Sequence, residues 1–276
     1  GLAVIMEEPP TFINELLDHL GSLGASGAKR VIVALIPLIK YGSPSIKNSI
    51  ILVLRKCLFM PNLDTRKIAV VGVLQLLKYF KITSSLPLTQ MIMSQSSSCL
   101  SQAVINVHQG GTTNNEALCL ELMGVIKRSL SQQATVKMTL YQGLHDVVGR
   151  NPEICVAVLD MLYAHAVQLK ITSEDEANPI DVDSMIALKS DDVFVIEPVG
   201  WFLHCVQLMV GKANHIYGDG NMAPDDVDTS SLVTLSGLLD RLGNIYADKL
   251  DSMDLNFEKG ADYSKTTSIG KYNILK

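Results

Sequence analysis

The chain has 276 residues, with 23 lysines and arginines against 28 aspartates and glutamates, so its formal charge is −5. Hydrophobic residues make up 47% of it, which excludes a wholly disordered chain, and the net acidity excludes a free-standing basic nucleic-acid-binding module. The charge is uneven: +5 over residues 1–81, 0 over residues 82–170 and −10 over residues 171–276. This asymmetry points to an anionic partner at the first segment.

Signals for helices begin near the start of the chain. Thr11 can cap a helix that extends to Leu23, and a second helix is predicted over residues 28–41. Pro37 lies inside the second helix, where its missing N–H and its ring should bend the helix. The first segment therefore begins with two consecutive helices.

Two further helices follow, and the second of them is apolar on most of its surface. Ser43 and Pro44 restart a helix as its cap and first residue, and apolar residues recur at spacings of three and four through Cys57. Asp64 is predicted to cap the next helix, over residues 65–81. The apolar circumference of that helix predicts burial on more than one side, as in stacked helical hairpins of HEAT-like solenoids.

The helical pattern breaks between residues 83 and 113. The stretch SSLPLTQMIMSQSSSCLSQ carries no charge and is rich in serine and glutamine. Connections usually have about 4–6 residues, so a loop of about 30 residues indicates function or disorder. We expect one long flexible Ser/Gln-rich loop here.

Helices resume after this loop and are interrupted twice. They are predicted over residues 115–131, 133–148, 151–170, 200–213 and 230–245. Residues 171–198 read as an acidic irregular excursion with a short hairpin near Val193 to Ile196. Residues 217–228 read as an acidic linker.

Together these elements predict an all-α fold, an antiparallel helical-pair (HEAT-like) α-solenoid segment that carries the long loop. The predicted parts are a helical-repeat segment at 1–82, the Ser/Thr-Gln loop at 83–113, a second helical-repeat segment at 114–170, the acidic excursion at 171–198, and C-terminal helices at 199–276 with the linker at 217–228.

The compartment follows from what the sequence lacks. No signal peptide opens the chain, and no apolar run approaches the roughly 20 residues of a membrane span. The five cysteines are scattered and form no CxxC pair, which fits the cytosol or nucleus. Because the chain starts at Gly1 and stops within an apolar pattern at Lys276, we expect a fragment of a longer protein.

The sequence carries no catalytic motif. Its six histidines form neither HExxH nor a Cys/His ligand cluster, and the nucleophile-elbow, phosphate-loop and dinucleotide motifs are absent. The acidic run at residues 173–176 lacks the ligand spacing of a calcium loop, so we interpret it as solvated. We therefore predict no enzyme, no metal, no cofactor and no small-molecule substrate.

Three Ser/Thr-Gln dipeptides cluster in the loop, at Thr89, Ser94 and Ser101, and a fourth begins at Ser131 between two helices. About one such dipeptide is expected by chance from the composition. Ser or Thr followed by Gln is the preference of DNA-damage checkpoint kinases, but a polar linker with chance glutamines fits the clustering equally well. Each phosphate would add about −1.5 to −2 charges beside the basic first segment, where Lys and Arg could dock it.

Five blocks of sequence, in this order, resemble the Fanconi anaemia group I family. They are ILVLRKCLF, LDTRKIAVVGVLQLLKYFK, the Ser/Thr-Gln cluster, LCLELMGVIKRSLSQQATVKMTLYQGLHDVVGRN and DLNFEKGADYSKTTSIG. The resemblance extends from about Ile50 to Gly270. It is weak over residues 171–248, where this chain lacks the family's long acidic run. It implies a central fragment of a much larger α-solenoid of antiparallel helical pairs.

The resemblance also implies a function and its residues. The family is a non-catalytic scaffold of interstrand crosslink repair, nuclear and chromatin-bound but also cytoplasmic, that pairs with its Fanconi group D-two paralogue and clamps DNA. One lysine of each partner receives one ubiquitin from the ligase machinery, and the family motif places it on Lys56, with Lys67 as runner-up. The family's phosphorylated cluster, a target of damage checkpoint kinases, maps onto Thr89, Ser94 and, less closely, Ser101.

The helix itself gives Lys56 limited support. On a helical wheel its apolar centre falls near four residues: Ile46, Ile50, Leu54 and Cys57. This places Arg55 opposite, in solvent, and Lys56 on the flank of the apolar face. A flank lysine can be covered by a partner yet reached from one side, although an ordinary snorkelling lysine fits as well.

Two functions remain in view. One is the regulated repair scaffold, for which the candidate DNA or phosphate contacts are the basic residues of the first segment: Lys29, Arg30, Lys40, Lys47 and Arg66. A solvated surface is the alternative for them. The other function is a generic helical-repeat protein-interaction adaptor without a DNA role, in which the loop is a passive linker.

Overall fold

The structure, a computed structural model, describes residues 15–16, 19–41, 44–80, 114–171, 180–189, 192–218 and 229–252. Its α-helices are α1 (Ala25–Tyr41), α2 (Pro44–Leu58), α3 (Leu63–Tyr79), α4 (Asn114–Ser129), α5 (Ala134–Arg150), α6 (Cys155–Gln168), α7 (Val199–Tyr217) and α8 (Ser230–Ser252). Short 3₁₀ helices are at Leu20–Ser22, Pro152–Ile154 and Val182–Met185. The chain divides into two compact units, residues 1–157 (unit 1) and residues 158–276 (unit 2).

The all-α fold class predicted from the sequence is confirmed, with one small sheet added. Strands β1 (Ile186–Lys189) and β2 (Asp192–Val195) form an antiparallel hairpin. Ile186 pairs with Val195 at one end and Lys189 pairs with Asp192 at the other. The hairpin lies within the excursion that the sequence predicts at residues 171–198, where alternating residues favour strands.

Helix α3 is the central helix of unit 1, because it packs against α1, α2, α4 and α5. Ten of its 17 residues are buried, as the apolar circumference predicts. Three helices approach one another closely at Gly72. A Cβ added there would lie 2.5 Å from Leu54 Cδ2 and 2.8 Å from Ile32 Cδ1. Glycine at this position therefore permits α1, α2 and α3 to meet.

Helices α1 and α3 run in the same direction. Near the start of both, Thr65 Oγ1 donates a hydrogen bond of 3.1 Å to the Gly21 carbonyl oxygen, which lies just before α1. Near the end of both, Lys40 Nζ lies 5.9 Å from the ring centroid of Tyr79. The two helices thus lie side by side along their length.

Helix α5 continues this row. Arg66, in the first turn of α3, donates to the side chain of Gln133, the N-cap residue of α5. At the other ends, Lys78 Nζ lies 3.0 Å from Asp146 Oδ2. Helices α1, α3 and α5 therefore lie side by side in this order and run in the same direction, as alternate helices of a solenoid do.

Helices α2 and α4 run opposite to this row. Lys47, in the first turn of α2, lies 5.5 Å from the ring centroid of Phe80, the residue after α3. Cys119, near the start of α4, donates from Sγ to the Phe80 carbonyl oxygen at 3.3 Å. Because the starts of α2 and α4 meet the end of α3, both are antiparallel to it. This is the arrangement of antiparallel helical pairs predicted from the sequence.

Side-chain hydrogen bonds fix both ends of α3. Asn62 Oδ1 accepts from the backbone N–H groups of Asp64 and Thr65, at 2.8 and 3.4 Å. The prediction that Asp64 caps this helix is therefore wrong: Asp64 lies in the first turn, where its carboxylate favours the helix dipole. At the other end, buried Asn151 donates to the carbonyl oxygens of Leu77 and Phe80, at 3.1 and 3.0 Å. The residue that follows α5 therefore supplies hydrogen bonds to carbonyl groups at the end of α3.

Unit 2 contains most of α6, the hairpin and helices α7 and α8. Helices α7 and α8 pack together through buried apolar residues. On α6, His165 Nε2 lies 3.3 Å from Glu197 Oε2, and both side chains are buried. The His165 ring also meets Phe202 edge to face. This contact joins the segment after β2 to α6.

Several predicted segments lie outside the described residues. These are residues 11–14 and 17–18 of the first predicted helix, the Ser/Thr-Gln loop at 83–113, the acidic run at 173–176 and most of the linker at 217–228. The expectation that an α-helix extends to Leu23 is wrong, because Leu20–Ser22 form a 3₁₀ helix and Leu23 is extended. Within the part of the chain that is described, no helix is long and apolar enough to cross a membrane.

Candidate functional site

Lys56 lies in the last turn of α2, on the side that faces away from the other helices. The buried residues of α2 are Lys47, Ile50, Ile51, Leu54, Cys57 and Leu58. At about 100° per residue, Lys56 lies roughly 170° from the centre of this face. Its side chain is exposed. The expectation that Lys56 sits on the flank of the apolar face is therefore wrong, and the amine is open to solvent.

Exposed apolar side chains surround Lys56. Leu52, one turn before it, and Phe59, directly after α2, are each 65% exposed, and Met60 is 41% exposed. Residues four and three positions from Lys56 lie on the same side of a helix. Large apolar groups that stay exposed in a contiguous set are typical of a surface that another molecule covers.

Arg55 occupies the flank that the helical wheel predicts for Lys56. Its Nη1 lies 3.0 Å from Glu121 Oε1 on α4, and the two side chains are 28% and 18% exposed. The expectation that Arg55 is fully in solvent is wrong, because the wheel left out the buried residues Ile51 and Leu58, and because Glu121 of α4 pairs with Arg55. The pair joins α2 to α4 beside the acceptor candidate.

Arg66 holds the turn that follows α2. Its Nε donates to the Met60 carbonyl oxygen at 2.7 Å and its Nη2 to the Pro61 carbonyl oxygen at 2.8 Å. Its Nη1 donates to the side-chain oxygens of Gln132, at 3.2 Å, and Gln133. The guanidinium is thus fully engaged within the protein, so the structure does not support its assignment as a DNA contact.

The runner-up Lys67 differs from Lys56 in its surroundings. Its Nζ lies 3.1 Å from Asp64 Oδ1, and its side chain is 29% exposed. No hydrogen bond or ion pair to the Lys56 amine occurs among the residues that the structure describes. Of the two candidate acceptors, Lys56 presents the more accessible amine.

The basic residues proposed to contact DNA fall into two groups. Lys29, Arg30 and Lys40 are exposed on α1. Lys47 is only 8% exposed and lies under the ring of Phe80. Burial lowers the pKa of Lys47, partly opposed by Cys119 and Glu121. The expectation that Lys47 is a surface contact is therefore wrong, whereas the three cations of α1 remain candidates.

The phosphorylation candidates Thr89, Ser94 and Ser101 lie outside the described residues. Ser131, which begins the fourth Ser/Thr-Gln dipeptide, is exposed in the turn between α4 and α5. Its Oγ donates to the Arg128 carbonyl oxygen at 2.8 Å. This local bond lies within the turn between the two helices.

Comparison with known proteins decides the family. Residues 90–275, more than half of the chain, match the family model described as FANCI helical domain 2, and residues 2–74 match FANCI solenoid 2. The chain belongs to the Fanconi anaemia group I family. The resemblance seen in the sequence is confirmed, and with it the α-solenoid class of the fold.

Two relatives show how much of a family member this chain represents. It is 29% identical over 274 residues to the Fanconi anemia group I protein of Gallus gallus and 31% identical over 266 residues to the Fanconi anemia group I protein homolog of Mus musculus. These alignments cover 98% and 95% of this chain but 20% of each relative. The chain therefore spans about a fifth of the length of these relatives.

The site also contains residues that the sequence analysis missed. Glu121, Gln132 and Gln133 were not singled out, yet their side chains hold the arginines on either side of Lys56. They lie at least 66 positions away from their partners in the chain, so no local pattern could have indicated them. Among the described residues, no group of three or more His, Cys, Asp or Glu could hold a metal ion.

Proposed function

We propose that this chain is a segment of a non-catalytic scaffold of interstrand crosslink repair in which Lys56 accepts a single ubiquitin. The observation that carries the proposal is the exposed Lys56 amine on the outer face of α2, within a chain of the Fanconi anaemia group I family. Membership in the family supports the role, and the geometry of α2 supports the residue.

The chemistry needs an accessible primary amine. The unprotonated Lys56 nitrogen attacks the carbonyl carbon of the ubiquitin C-terminal thioester, an N–C bond forms, and the enzyme thiolate leaves as the C–S bond breaks. The proton of the amine passes to the departing sulfur or to solvent, and an isopeptide bond remains. A nucleophile must be reached without obstruction for such a transfer, which Lys56 permits and the ion-paired Lys67 permits less readily.

A partner surface surrounds the acceptor. In the scaffold, the exposed Leu52, Phe59 and Met60 form part of the surface that meets the Fanconi group D-two paralogue. Aromatic and large aliphatic side chains that are exposed in one partner are the groups that interfaces bury. Ubiquitin on Lys56 would then lie at the edge of the pair and favour its closed state.

Regulation by phosphate belongs to the same proposal. Thr89, Ser94 and Ser101 are the positions that a DNA-damage checkpoint kinase would modify, with about −1.5 to −2 charges added at each. The uncharged loop that carries them adjoins the segment of charge +5, so phosphates would pair with Lys and Arg and stabilise a closed paralogue pair on DNA. Phosphates mapped to these three residues after crosslinking damage would support this role, and their absence would favour the adaptor function.

DNA contact by this segment is proposed for Lys29, Arg30 and Lys40, which are exposed on one helix. Cations that neutralise phosphates supply affinity without sequence specificity. We place the protein on chromatin in the nucleus, with a second pool in the cytoplasm, since clamping crosslinked DNA requires access to chromatin.

The direct test replaces the acceptor in the full-length protein. Lys56→Arg keeps the positive charge but removes the primary amine, so we expect damage-induced monoubiquitination to be abolished. Lys67→Arg is the matched control, because it changes a lysine of the neighbouring helix in the same way, and we expect wild-type modification. Modification of the Lys56→Arg protein at the wild-type level would show that the acceptor lies elsewhere.

A further inference from the structure

The turn that carries Lys56 is held from two sides by arginines. Arg55 of α2 pairs with Glu121 of α4, and Arg66 of α3 bonds the backbone of the turn after α2. Both arginines connect to the next helical pair, through Glu121 of α4 and Gln133 at the start of α5. We call this set the arginine clasp: Arg55, Arg66, Glu121, Gln132 and Gln133.

The first half of the clasp fixes the rotation of α2. Arg55 and Lys56 are adjacent, so their side chains point about 100° apart around the helix axis. When Glu121 holds Arg55 against α4, Lys56 is turned outward. The ion pair therefore resists rotation of α2 about its axis.

The second half fixes the end of α2. The last carbonyl groups of a helix and the turn after it lack partners within the helix. Two backbone hydrogen bonds close this turn. Phe59 N–H donates to the Lys56 carbonyl oxygen at 3.1 Å, and Met60 N–H donates to the Cys57 carbonyl oxygen at 3.3 Å. Arg66 then binds the carbonyl oxygens of Met60 and Pro61 at once. Only the planar guanidinium fork can engage these acceptors and the two glutamines together, because an ammonium group lacks that geometry.

We propose that Arg66 and Glu121 are positioning residues for ubiquitin transfer to Lys56, which they do not touch. The inference rests on the proposed function of Lys56. A small displacement of a reacting group can cost about 100-fold in rate, so a loosened last turn of α2 lowers transfer to Lys56. It also weakens the preference over Lys67, because α3, which carries Lys67, is held by ten buried residues and is displaced less than the last turn of α2.

The test uses the full-length protein, expressed in cells that lack their own copy and treated with a crosslinking agent. The variants are Arg66→Lys, which keeps the charge but loses the fork, and Glu121→Gln, which keeps the shape but loses the charge. We expect each to lower ubiquitin on Lys56 by about tenfold and to raise the share found on Lys67. Site-resolved mass spectrometry measures both quantities, and a merely structural role would lower the amount on both lysines and leave the share on Lys67 unchanged.

Two further variants separate positioning from general destabilisation. The charge swap Arg55→Glu with Glu121→Arg restores the ion pair in reverse, and we expect it to recover most of the Lys56 signal. Asp146→Asn is the matched control, because it breaks another ion pair between helices, Lys78–Asp146 at 3.0 Å, away from Lys56. We expect it to leave the ratio of Lys56 to Lys67 unchanged.

The outcomes are distinguishable from failure of the proposed function. If Lys56→Arg abolishes modification but Arg66→Lys and Glu121→Gln leave the amount and the site unchanged, Lys56 is the acceptor and the clasp is not a positioning device. If Asp146→Asn changes the site ratio as much as they do, the effect is a loss of stability and the inference is overturned. If the Lys56→Arg protein is modified at the wild-type level, the proposed function itself is wrong, whatever the clasp variants show.

Discussion

Single polar side chains join the helices of unit 1, both within a helical pair and between neighbouring pairs. Asn151 donates hydrogen bonds to two carbonyl oxygens at the end of α3, and Arg66 donates to two more after α2. Glu121 forms an ion pair with Arg55. A buried polar group that loses its partner costs about 1–3 kcal/mol. These polar bonds therefore specify which helices pack together more strictly than the apolar contacts around them do.

The ion pair between Lys78 and Asp146 depends on pH. The hydrogen bond and charge of Lys78 lower the pKa of this carboxyl below its ordinary value of 3.8, against the opposing effect of burial. Because the folded pKa is the lower one, the pair stabilises the fold above about pH 4, and that contribution is lost as the pH falls through the lowered pKa.

We therefore expect Asp146→Asn to reduce the midpoint of thermal unfolding slightly at pH 7, since the carboxylate is largely exposed. The difference from the wild type should shrink below about pH 4. Asp240→Asn, at an exposed position of unit 2, is the control and should show no such change. A difference that stayed constant between about pH 7 and pH 3 would exclude the ion pair as its source.

At this scale, the sequence does not predict the surroundings of a side chain reliably. The resemblance placed the acceptor on Lys56, but the wheel put it on the flank and left Arg55 in solvent. Both errors have the same main cause: the wheel counted Ile46 in the buried face and left out Ile51 and Leu58, whereas Ile46 is only half-buried and the other two are buried. Hydrogen bonds such as that of Arg66 with Gln132 join residues 66 positions apart, and nothing local in the sequence indicates them.

Elements behave more predictably, because helix signals are local. Ser43-Pro44 placed the start of α2 at Pro44, where the structure begins it, and the apolar circumference of α3 predicted its burial on several sides. The N-cap of α3 was misplaced by two residues, since both Asn62 and Asp64 are good capping residues. The excursion at 171–198 contains the hairpin that its alternating residues favour.

The close packing of three elements at Gly72 can be tested directly. We expect Gly72→Ala to destabilise the fold by about 1–3 kcal/mol, because the new methyl group would meet Leu54 and Ile32 at 2.5 and 2.8 Å. The free energy of unfolding in urea measures this. Gly211→Ala is the control: it lies in α7 with no atom within 4 Å of its Cβ position, and alanine should stabilise that helix by about 0.5–1 kcal/mol. Equal effects at the two sites would contradict the packing described.

At the scale of the whole molecule, charge is distributed unevenly along the chain. A net charge of −5 excludes an independent basic module, but the first segment has a charge of +5 and exposes Lys29, Arg30 and Lys40 on α1. In a solenoid each repeat contacts only its neighbours and leaves an extended surface for a partner. A segment of such a solenoid can therefore contribute to a DNA clamp while the chain as a whole is acidic.

A salt-dependent interaction with DNA follows from these exposed cations. Replacing Lys29, Arg30 and Lys40 by glutamine in the full-length paralogue pair should weaken DNA binding about equally for all sequences. The slope of log affinity against log salt should fall by about 1 for each DNA phosphate that is no longer neutralised. Titration of duplex DNA at several salt concentrations measures both. Lys212→Gln, on α7 of unit 2, is the control, and an unchanged slope in the triple variant would remove these cations from the interface.

The measurement that tests the central claim most directly is site mapping of ubiquitin on the full-length protein after crosslinking damage. Trypsin leaves a diglycine remnant on a lysine that carried ubiquitin, so mass spectrometry identifies the acceptor itself. The account predicts the remnant on Lys56, in large excess over any remnant on Lys67. A remnant on Lys67 or on another lysine, with Lys56 bare, would contradict it.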